Sequence, residues 1–245
     1  MKTRALIIIL CVCFTGAAVF GLVNRMNYRD FNREESPLQK FIVGGLSQQY
    51  LERQLSLLEK GDNNTGRKPI PECETILAVR CEESSRFRHW GITQKVSVVR
   101  VFRGDQFETG DVLHLSSPSS SVWCYDEEFP EILRGYYGAN LDFANEMIAG
   151  KEYLVFLGHR VESYRDEDFW VYYGGAPATR FCYEDIPNHP AVQIDDPDVG
   201  IAVYYRDIAD CEFILMSDGA VEAMDEFKKK MLERFPLSSD WEDPQ

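Results

Sequence analysis

The stretch that decides the fold is Gly91–Arg103, with the sequence GITQKVSVVRVFR. β-Branched residues fill much of it, and alternation puts Val96 and Val98 on one face and Val99 on the opposite face. A Gly-Asp pair that starts at Gly104 then favours a turn. The stretch therefore predicts one long β-strand that ends at this turn.

Further strand-like runs lie on both sides of this stretch at short spacing. They are residues 75–80 (TILAVR), 111–116 (DVLHLS), 152–158 (EYLVFLG), 169–173 (FWVYY), 201–205 (IAVYY) and 212–216 (EFILM). Helical spacing of apolar residues predicts helices over 48–60, capped by Ser47, and over 219–234, capped by Ser217 or Asp218. Short strands separated by glycine turns are typical of an antiparallel sheet that closes on itself. The predicted fold class is mainly β with flanking helices (α+β).

The N-terminus combines two basic residues with an apolar run. Lys2 and Arg4 precede an uncharged segment that extends over residues 5–23. As a helix, this segment is just long enough to span a bilayer core of about 30 Å. In the alternative interpretation it contains a signal peptide, with Gly16 and Ala18 in the small positions before a cleavage point. Either interpretation predicts an extracytoplasmic protein, membrane-anchored or secreted.

Four segments are predicted along the chain. Residues 1–23 are the signal peptide or single membrane anchor, and residues 24–71 are a stalk, a short helix and a linker. Residues 72–236 form the β-barrel domain with its C-terminal helix, and residues 237–245 form an acidic tail. The proline-rich stretch over 177–200 is predicted as a loop within the barrel domain.

The chain is strongly acidic, with 40 Asp and Glu residues against 26 Lys and Arg residues and a net charge of −14. Such a charge repels phosphate backbones, so no nucleic-acid partner is predicted. Membrane contact is predicted only through residues 5–23, if the leader stays uncleaved. Net charge is informative about solubility and partners, and it carries no information about the fold.

Five cysteines follow the leader, namely Cys73, Cys81, Cys124, Cys182 and Cys211. Cysteines pair in an oxidising compartment, and an odd number leaves one thiol free. We predict at least one disulfide, which joins Cys73 or Cys81 to one of the other three. The alternative is that all five are buried as small unpaired hydrophobic residues.

An aromatic cluster marks the predicted strand over residues 169–173. Alternation along this strand places Trp170 and Tyr172 on the same face. We predict that one face of the strand is core and that Trp170 and Tyr172 form part of a possible binding surface. The alternative is that the C-terminal helix covers them, in which case they belong to the core.

No motif in the sequence indicates catalysis. The metalloprotease pattern H-E-x-x-H, the nucleophile elbow G-x-S-x-G and the glycine-rich phosphate loops are all absent. His189 is close in sequence to Asp195, Asp196 and Asp198, but this loop lacks the alternating oxygen ligands of a calcium site. We interpret it as a solvated acidic loop and predict no catalytic residues, no cofactor and no metal ligands.

Four segments, taken in order, resemble the netrin-type module, the OB-fold barrel of the tissue inhibitors of metalloproteinases and their bacterial relatives. The segments are residues 73–80 (CETILAVR), 96–104 (VSVVRVFRG), 111–117 (DVLHLSS) and 150–157 (GKEYLVFL). The first is similar to the family's opening strand, in which a cysteine precedes an apolar run, and the second to its long strand with a basic-Gly turn. The resemblance implies an OB-like antiparallel β-barrel over residues 72–158, with weaker similarity as far as residue 235.

One functional feature of the inhibitor family is missing. Those inhibitors begin with a cysteine whose amine and carbonyl bind the catalytic zinc of the target, whereas Cys73 lies far beyond the leader and is similar to a later, structural cysteine. The predicted function is therefore an extracytoplasmic, non-catalytic binding or protease-inhibitor-like module whose partner is another extracytoplasmic protein. The alternative is an extracytoplasmic hydrolase with dispersed, unrecognised catalytic residues.

Overall fold

The structure, a computed structural model, describes residues 13–22, 41–62, 64–88, 91–116, 125–126, 143–162, 168–173, 179–194 and 202–238. The chain divides into two compact units, residues 1–35 and residues 36–245. In the first unit, residues 13–22 form helix α1. Among the described residues, no helix is both long enough and apolar enough to cross a bilayer. The leader predicted over 1–23 lies partly outside these residues and stays a prediction.

Five strands of the second unit close into a barrel. They are β2 (Thr75–Cys81), β4 (Gly91–Arg103), β5 (Val112–Ser116), β7 (Glu152–Val161) and β8 (Phe169–Tyr172). Their order around the barrel is β2-β4-β5-β8-β7, and β7 pairs back onto β2. The β5–β8 pair is parallel, whereas the other pairs of the barrel are antiparallel. The predicted mainly β fold that closes on itself is confirmed.

Shorter strands extend the barrel sheet and form a second sheet. In the barrel sheet, β3 (Arg86–Arg88) pairs with the start of β4, and β9 (Arg180–Cys182) pairs with the first half of β7. The second sheet has three strands in the order β10-β1-β6. These strands are β1 (Phe41–Gly44), β6 (Tyr125–Asp126) and β10 (Ala202–Tyr204).

Two helices of this unit contact each other. They are α2 (Gln48–Lys60) and α3 (Asp218–Arg234). The Ser217 hydroxyl accepts a hydrogen bond from the Ala220 amide at 3.2 Å, which confirms the predicted cap of α3. Ser47 has the extended backbone of a capping residue, but its side chain makes no capping hydrogen bond. The side-chain cap predicted for α2 is therefore absent.

One side of the barrel is covered by other parts of the chain. In β2 all residues from Thr75 to Val79 are buried, and in β7 all residues from Tyr153 to Leu157 are buried. Successive residues of a strand point to opposite faces, so both faces of β2 and β7 are covered. Aromatic rings provide part of this cover, because Phe227 of α3 packs on Phe181 with ring centroids 5.8 Å apart.

The other side of the barrel is open. In β4, buried Val96 and Val98 alternate with half-buried Ser97 and Val99. Ser97 lies opposite Val112 of β5, which is 55% exposed. This alternation is typical of strands with one face on a core and one face in solvent. Among the described residues, the outer surface of the β4–β5 hairpin is therefore the more exposed face of the barrel, which is called the open face below.

Three sequence predictions about elements need correction. Residues 212–216 form no strand and make only isolated bridges, such as that between Phe213 and Ala144. The predicted loop over 177–200 contains β9, and the short strands β1 and β3 were not predicted. The predicted linker over 61–71 contains part of a 3-10 helix, Ile70–Glu72, and Ile70 is fully buried in the same core as the leucines of α2.

Candidate functional site

A polar cavity of about 380 Å³ lies where four segments around the barrel meet. These segments are the loop after β2, the residues that precede β7, strand β9 with its following loop, and the turn after β10. The residues that line the cavity are Ser84, Asn145, Glu146, Met147, Ile148, Ala149, Tyr153, Arg180, Ile186, Tyr205, Ala209, Asp210, Cys211 and Glu212. The charged and polar part of this lining includes three carboxylates, one carboxamide and one guanidinium.

Asn145 organises the cavity wall. Its side-chain amide donates to the carbonyl oxygens of Ile208 and Cys211, each at 2.9 Å. Its side-chain oxygen accepts from the Tyr205 hydroxyl at 2.5 Å, and its backbone amide donates to the Glu212 carbonyl at 2.7 Å. Asn145 is buried, so these bonds are shielded from water. The segment over 205–212 is thereby held against the segment that precedes β7.

Arg180 puts a buried positive charge beside this wall. Its guanidinium donates to the carbonyls of Asn145 and Ala144, at 2.9 Å and 2.7 Å for the Nη2 atom. It also lies over the ring of Tyr172, with 5.0 Å between Cζ and the ring centroid. The guanidinium is thus oriented by backbone and ring contacts.

Glu146 is a carboxyl of the cavity whose ionisation is changed by its surroundings. Burial raises its pKa, and the Ser85 hydroxyl and the Arg180 guanidinium oppose that rise. Ser85 Oγ is itself buried and has no hydrogen bond of full geometry among the described residues. A half-buried carboxyl of this kind can accept hydrogen bonds from a ligand, and when protonated it can donate one.

A buried ion pair joins the cavity wall to α3. Lys228 Nζ of α3 lies 2.5 Å from Glu212 Oε2, and both side chains are buried. Glu212 Oε1 also accepts from the Cys182 amide of β9 at 2.6 Å. Burial raises the pKa of Glu212, while Lys228 and the Cys182 amide lower it. The pair therefore links α3, β9 and the turn after β10.

Three residues with metal-ligating side chains meet at one edge of the cavity. One atom each from His189, Asp210 and Cys211 lie within 4.8 Å of one another. His189 Nε2 is 3.4 Å from Asp210 Oδ1, and Cys211 Sγ is 4.0 Å from the same oxygen. Residues 195–198, which the sequence places near His189, lie outside the described residues. The fold brings His189 to Asp210 and Cys211, a grouping that the sequence analysis did not predict.

The other cysteines lie in the core. Cys73, Cys81, Cys182 and Cys211 are buried free thiols in the structure, and Cys124 lies outside the described residues. Cys73 Sγ donates to the carbonyl of Leu157 at 3.1 Å. Burial raises the pKa of all four thiols, that of Cys81 to about 11. The predicted disulfide stays a prediction.

The two predicted surface aromatics occupy different environments. Tyr172 is buried, and its hydroxyl lies 4.0 Å from Met147 Sδ. Trp170 is half-buried, and its ring packs edge-on against Phe107 with centroids 5.1 Å apart. Only Trp170 of the pair offers surface to a partner in this structure. A binding role for these residues stays a prediction.

The cavity contains groups for acid–base chemistry without an activated nucleophile among its described residues. The Cys211 thiol has a raised pKa, because burial and the nearby Asp210 charge both disfavour the thiolate. The Tyr205 hydroxyl donates its hydrogen bond to Asn145.

No family model matches the chain, and no curated protein matches it significantly. The cavity was not predicted from the sequence, because its residues are single polar positions in separate loops.

Proposed function

We propose that this chain acts outside the cytoplasm as a non-catalytic module that binds another protein through an OB-type barrel. In an OB barrel the strand order is first, second, third, fifth, fourth and back to the first. The order β2-β4-β5-β8-β7, closed by the β7–β2 pair, is the same order. The parallel pairing of β5 with β8 also agrees with that topology. These features support the resemblance to the netrin-type inhibitors.

The observation that carries the binding proposal is the open face of the barrel. OB barrels bind their ligands mainly on the face of their second and third strands, which correspond to β4 and β5 here. On the opposite side, β2 and β7 are buried on both faces. The open face presents Val112 with Lys95 and His114, which pair across β4 and β5. Among the described residues, it is therefore the more exposed surface of the barrel and the one we propose for docking.

Charge favours a basic partner. The chain has a net charge of −14, and complementary charge accelerates association and helps to select the partner. The same charge argues against oligonucleotides, which many OB barrels bind. An extracytoplasmic location is supported by the apolar leader over 5–23. The proposed partner is thus an extracytoplasmic protein whose overall charge is positive.

A zinc-chelating N-terminus is not part of the proposal. In the structure the Cys73 amide donates to the Ile70 carbonyl at 3.0 Å, at the end of the 3-10 helix Ile70–Glu72. The Cys73 thiol is buried and donates to the Leu157 carbonyl at 3.1 Å, with the Thr75 carbonyl 3.3 Å away. A free amine at Cys73 therefore requires the loss of this helix. Docking through the barrel surface requires no such change.

The test compares two exposed valines in a capture experiment on the native cell surface. Residues 36–245 serve as bait, as wild type, as Val112→Asp on the open face and as Val192→Asp in the loop after β9, where Val192 is 75% exposed. Both substitutions change the same side chain and the same charge. We expect wild type and Val192→Asp to retain the same partner and Val112→Asp to lose it. Equal capture by all three baits would show that the open face is not the docking surface.

The hydrolase alternative is favoured by one observation, the raised pKa of Glu146 in the cavity. A carboxyl with this property can serve as a general acid or base for water attack on a substrate. The test is turnover of a panel of ester, peptide and glycoside substrates by wild type and Glu146→Gln. Turnover that Glu146→Gln abolishes, with the fold retained, would replace the binding proposal by the enzymatic one.

A further inference from the structure

We propose that His189, Asp210 and Cys211 bind one divalent transition-metal ion of the Zn²⁺ class. A ring nitrogen of His189, a carboxylate oxygen of Asp210 and Sγ of Cys211 lie within 4.8 Å of one another. The site goes beyond the proposed binding function and does not depend on it. It is a separate property of the loop after β9 and the turn after β10.

The distances between these atoms suit a tetrahedral ion. Zn–N, Zn–O and Zn–S bonds of about 2.0–2.3 Å place neighbouring ligand atoms about 3.3–3.8 Å apart. His189 Nε2 and Asp210 Oδ1 are 3.4 Å apart, which falls in this range. Cys211 Sγ is 4.0 Å from Asp210 Oδ1 and within 4.8 Å of the His189 ring nitrogen, so ion binding requires the three atoms to close by up to about 1 Å.

The chemistry of the donors selects the class of ion. Imidazole and thiolate together favour Zn²⁺ or Co²⁺ over Ca²⁺ or Mg²⁺, which prefer oxygen ligands. A doubly charged ion is neutralised by one Asp210 carboxylate and one Cys211 thiolate, with His189 neutral. Neutrality is favourable here because the Cys211 side chain is buried and supplies little contact with water.

The chain segments that carry the three side chains are held together by other contacts. The Asn188 side-chain oxygen accepts from the amides of Glu212 and Phe213, at 3.1 Å and 3.0 Å. The Asn145 side chain donates to the Cys211 carbonyl, and the Ala191 amide donates to the Leu215 carbonyl. Residues on both sides of His189 are therefore tied to residues on the far side of Cys211. Such a frame reduces the ordering that metal binding requires.

The second ring nitrogen of His189 also has a suitable neighbour. Its Nδ1 atom lies 3.5 Å from the carbonyl oxygen of Pro190. Metal-binding histidines commonly direct their other ring N–H to a carbonyl or carboxylate, which orients the ring and fixes the tautomer. A proton on Nδ1 leaves Nε2, the nitrogen that faces Asp210, free to bind the ion.

Three protein ligands leave one tetrahedral position for water or another ligand. Asp210 and Cys211 both belong to the cavity lining, so the ion would lie at the cavity edge. Sites with three protein ligands and an open position are typical of zinc that meets exogenous ligands. An ordinary His189–Asp210 ion pair accounts for two of the residues, but it gives the Cys211 thiol no role. The test therefore depends on the thiol.

The experiment titrates the full-length chain, reduced and metal-free, with Co²⁺ and then displaces Co²⁺ with Zn²⁺. We expect one equivalent of Co²⁺ to give a thiolate-to-cobalt charge-transfer band and visible bands typical of four-coordinate cobalt. Cys211→Ser should abolish the charge-transfer band. His189→Gln and Asp210→Asn should each weaken Zn²⁺ binding about 100-fold, since even outer-shell partners contribute 10–100-fold.

Matched controls separate the site from general surface binding and from misfolding. His159→Gln and Asp207→Asn alter exposed residues of the same types outside the cluster, and both should bind Co²⁺ like wild type. His189 and Asp210 are exposed, so their variants should fold even if Cys211→Ser does not. The proposal is overturned if no charge-transfer band forms, or if His189→Gln and Asp210→Asn bind as tightly as the two controls.

Discussion

The buried Glu212–Lys228 pair provides the sharpest test of how the fold holds its cavity. In Lys228→Met the chain keeps a side chain of similar length on α3, but Glu212 loses its cationic partner at 2.5 Å. Removal of one member of a buried pair lowers stability by about 3–5 kcal/mol, because an uncompensated charge stays buried. Glu212 keeps the Cys182 amide at 2.6 Å, so we expect a loss near the lower limit, about 3 kcal/mol.

The sign of the pH dependence follows from the carboxyl. Burial raises the pKa of Glu212 above 4.5, and Lys228 opposes that rise. A carboxyl whose pKa is higher in the folded state than in the unfolded state stabilises the fold while it is protonated. This contribution is complete at a pH below the pKa of the unfolded state, and it disappears as the pH rises through the pKa of the folded state. The pKa of Glu212 should rise further in Lys228→Met. The difference in unfolding free energy between wild type and Lys228→Met should therefore be largest near neutral pH and smaller toward pH 4.5.

The assay is urea unfolding followed by circular dichroism at a series of pH values. A loss of about 3 kcal/mol corresponds to a decrease in Tm of about 6–12 °C for a domain of this size. Lys229→Met, at an exposed position of the same helix, is the control and should unfold like wild type. The double variant Glu212→Gln with Lys228→Met should recover most of the loss, since no charge remains buried. A deficit below about 1 kcal/mol, or one that does not change with pH, would refute this reasoning.

Three further predictions test other parts of the structure. Asn145→Ala removes the hydrogen bonds that join Asn145 to the Tyr205 hydroxyl and to the Ile208 and Cys211 carbonyls, and urea unfolding should show that the free energy of unfolding falls by about 3 kcal/mol; a fall under about 1 kcal/mol would contradict the role of Asn145 as organiser. Gly104 has a backbone φ of 121°, and the Cβ of Gly104→Ala would lie 3.2 Å from the Phe107 ring. Thermal unfolding should therefore show that the free energy of unfolding falls by at least about 1 kcal/mol, and unchanged stability would contradict that geometry. The Cys81 thiol, with its pKa raised to about 11, should resist alkylation at pH 8 until the chain unfolds; peptide mapping that shows rapid labelling in the folded chain would contradict its burial.

The sequence predicted the barrel where local pattern and tertiary packing agree. Gly91–Arg103 combines β-branched residues with alternation, and β4 has the predicted bounds. The apolar run that starts at Glu152 continues to Val161 in β7, so only its end was misjudged. Residues 212–216 have the same apolar character, but they are held by single bridges and side-chain bonds to Asn188 rather than by a neighbouring strand. Apolar character alone therefore did not distinguish a strand from a buried irregular segment.

The cavity depends on contacts that the sequence does not contain locally. Asn145 and Arg180 lie in different segments, and each is an ordinary polar residue by its own sequence context. His189 was noticed for its acidic neighbours over 195–198, yet the structure places it against Asp210. This pairing requires the loop after β9 to fold back along the turn after β10. Such a contact follows from tertiary packing, which local periodicity does not report.

The most direct test of the proposed function is amide hydrogen exchange on residues 36–245, measured with and without the partner that the capture experiment isolates. The account predicts that the partner slows exchange in the open face, over Val112–Ser116 and the facing part of Gly91–Arg103, and leaves α3 unchanged. Protection confined to α3 or to the cavity lining, with unchanged exchange in the open face, would contradict the claim that the barrel binds through β4 and β5.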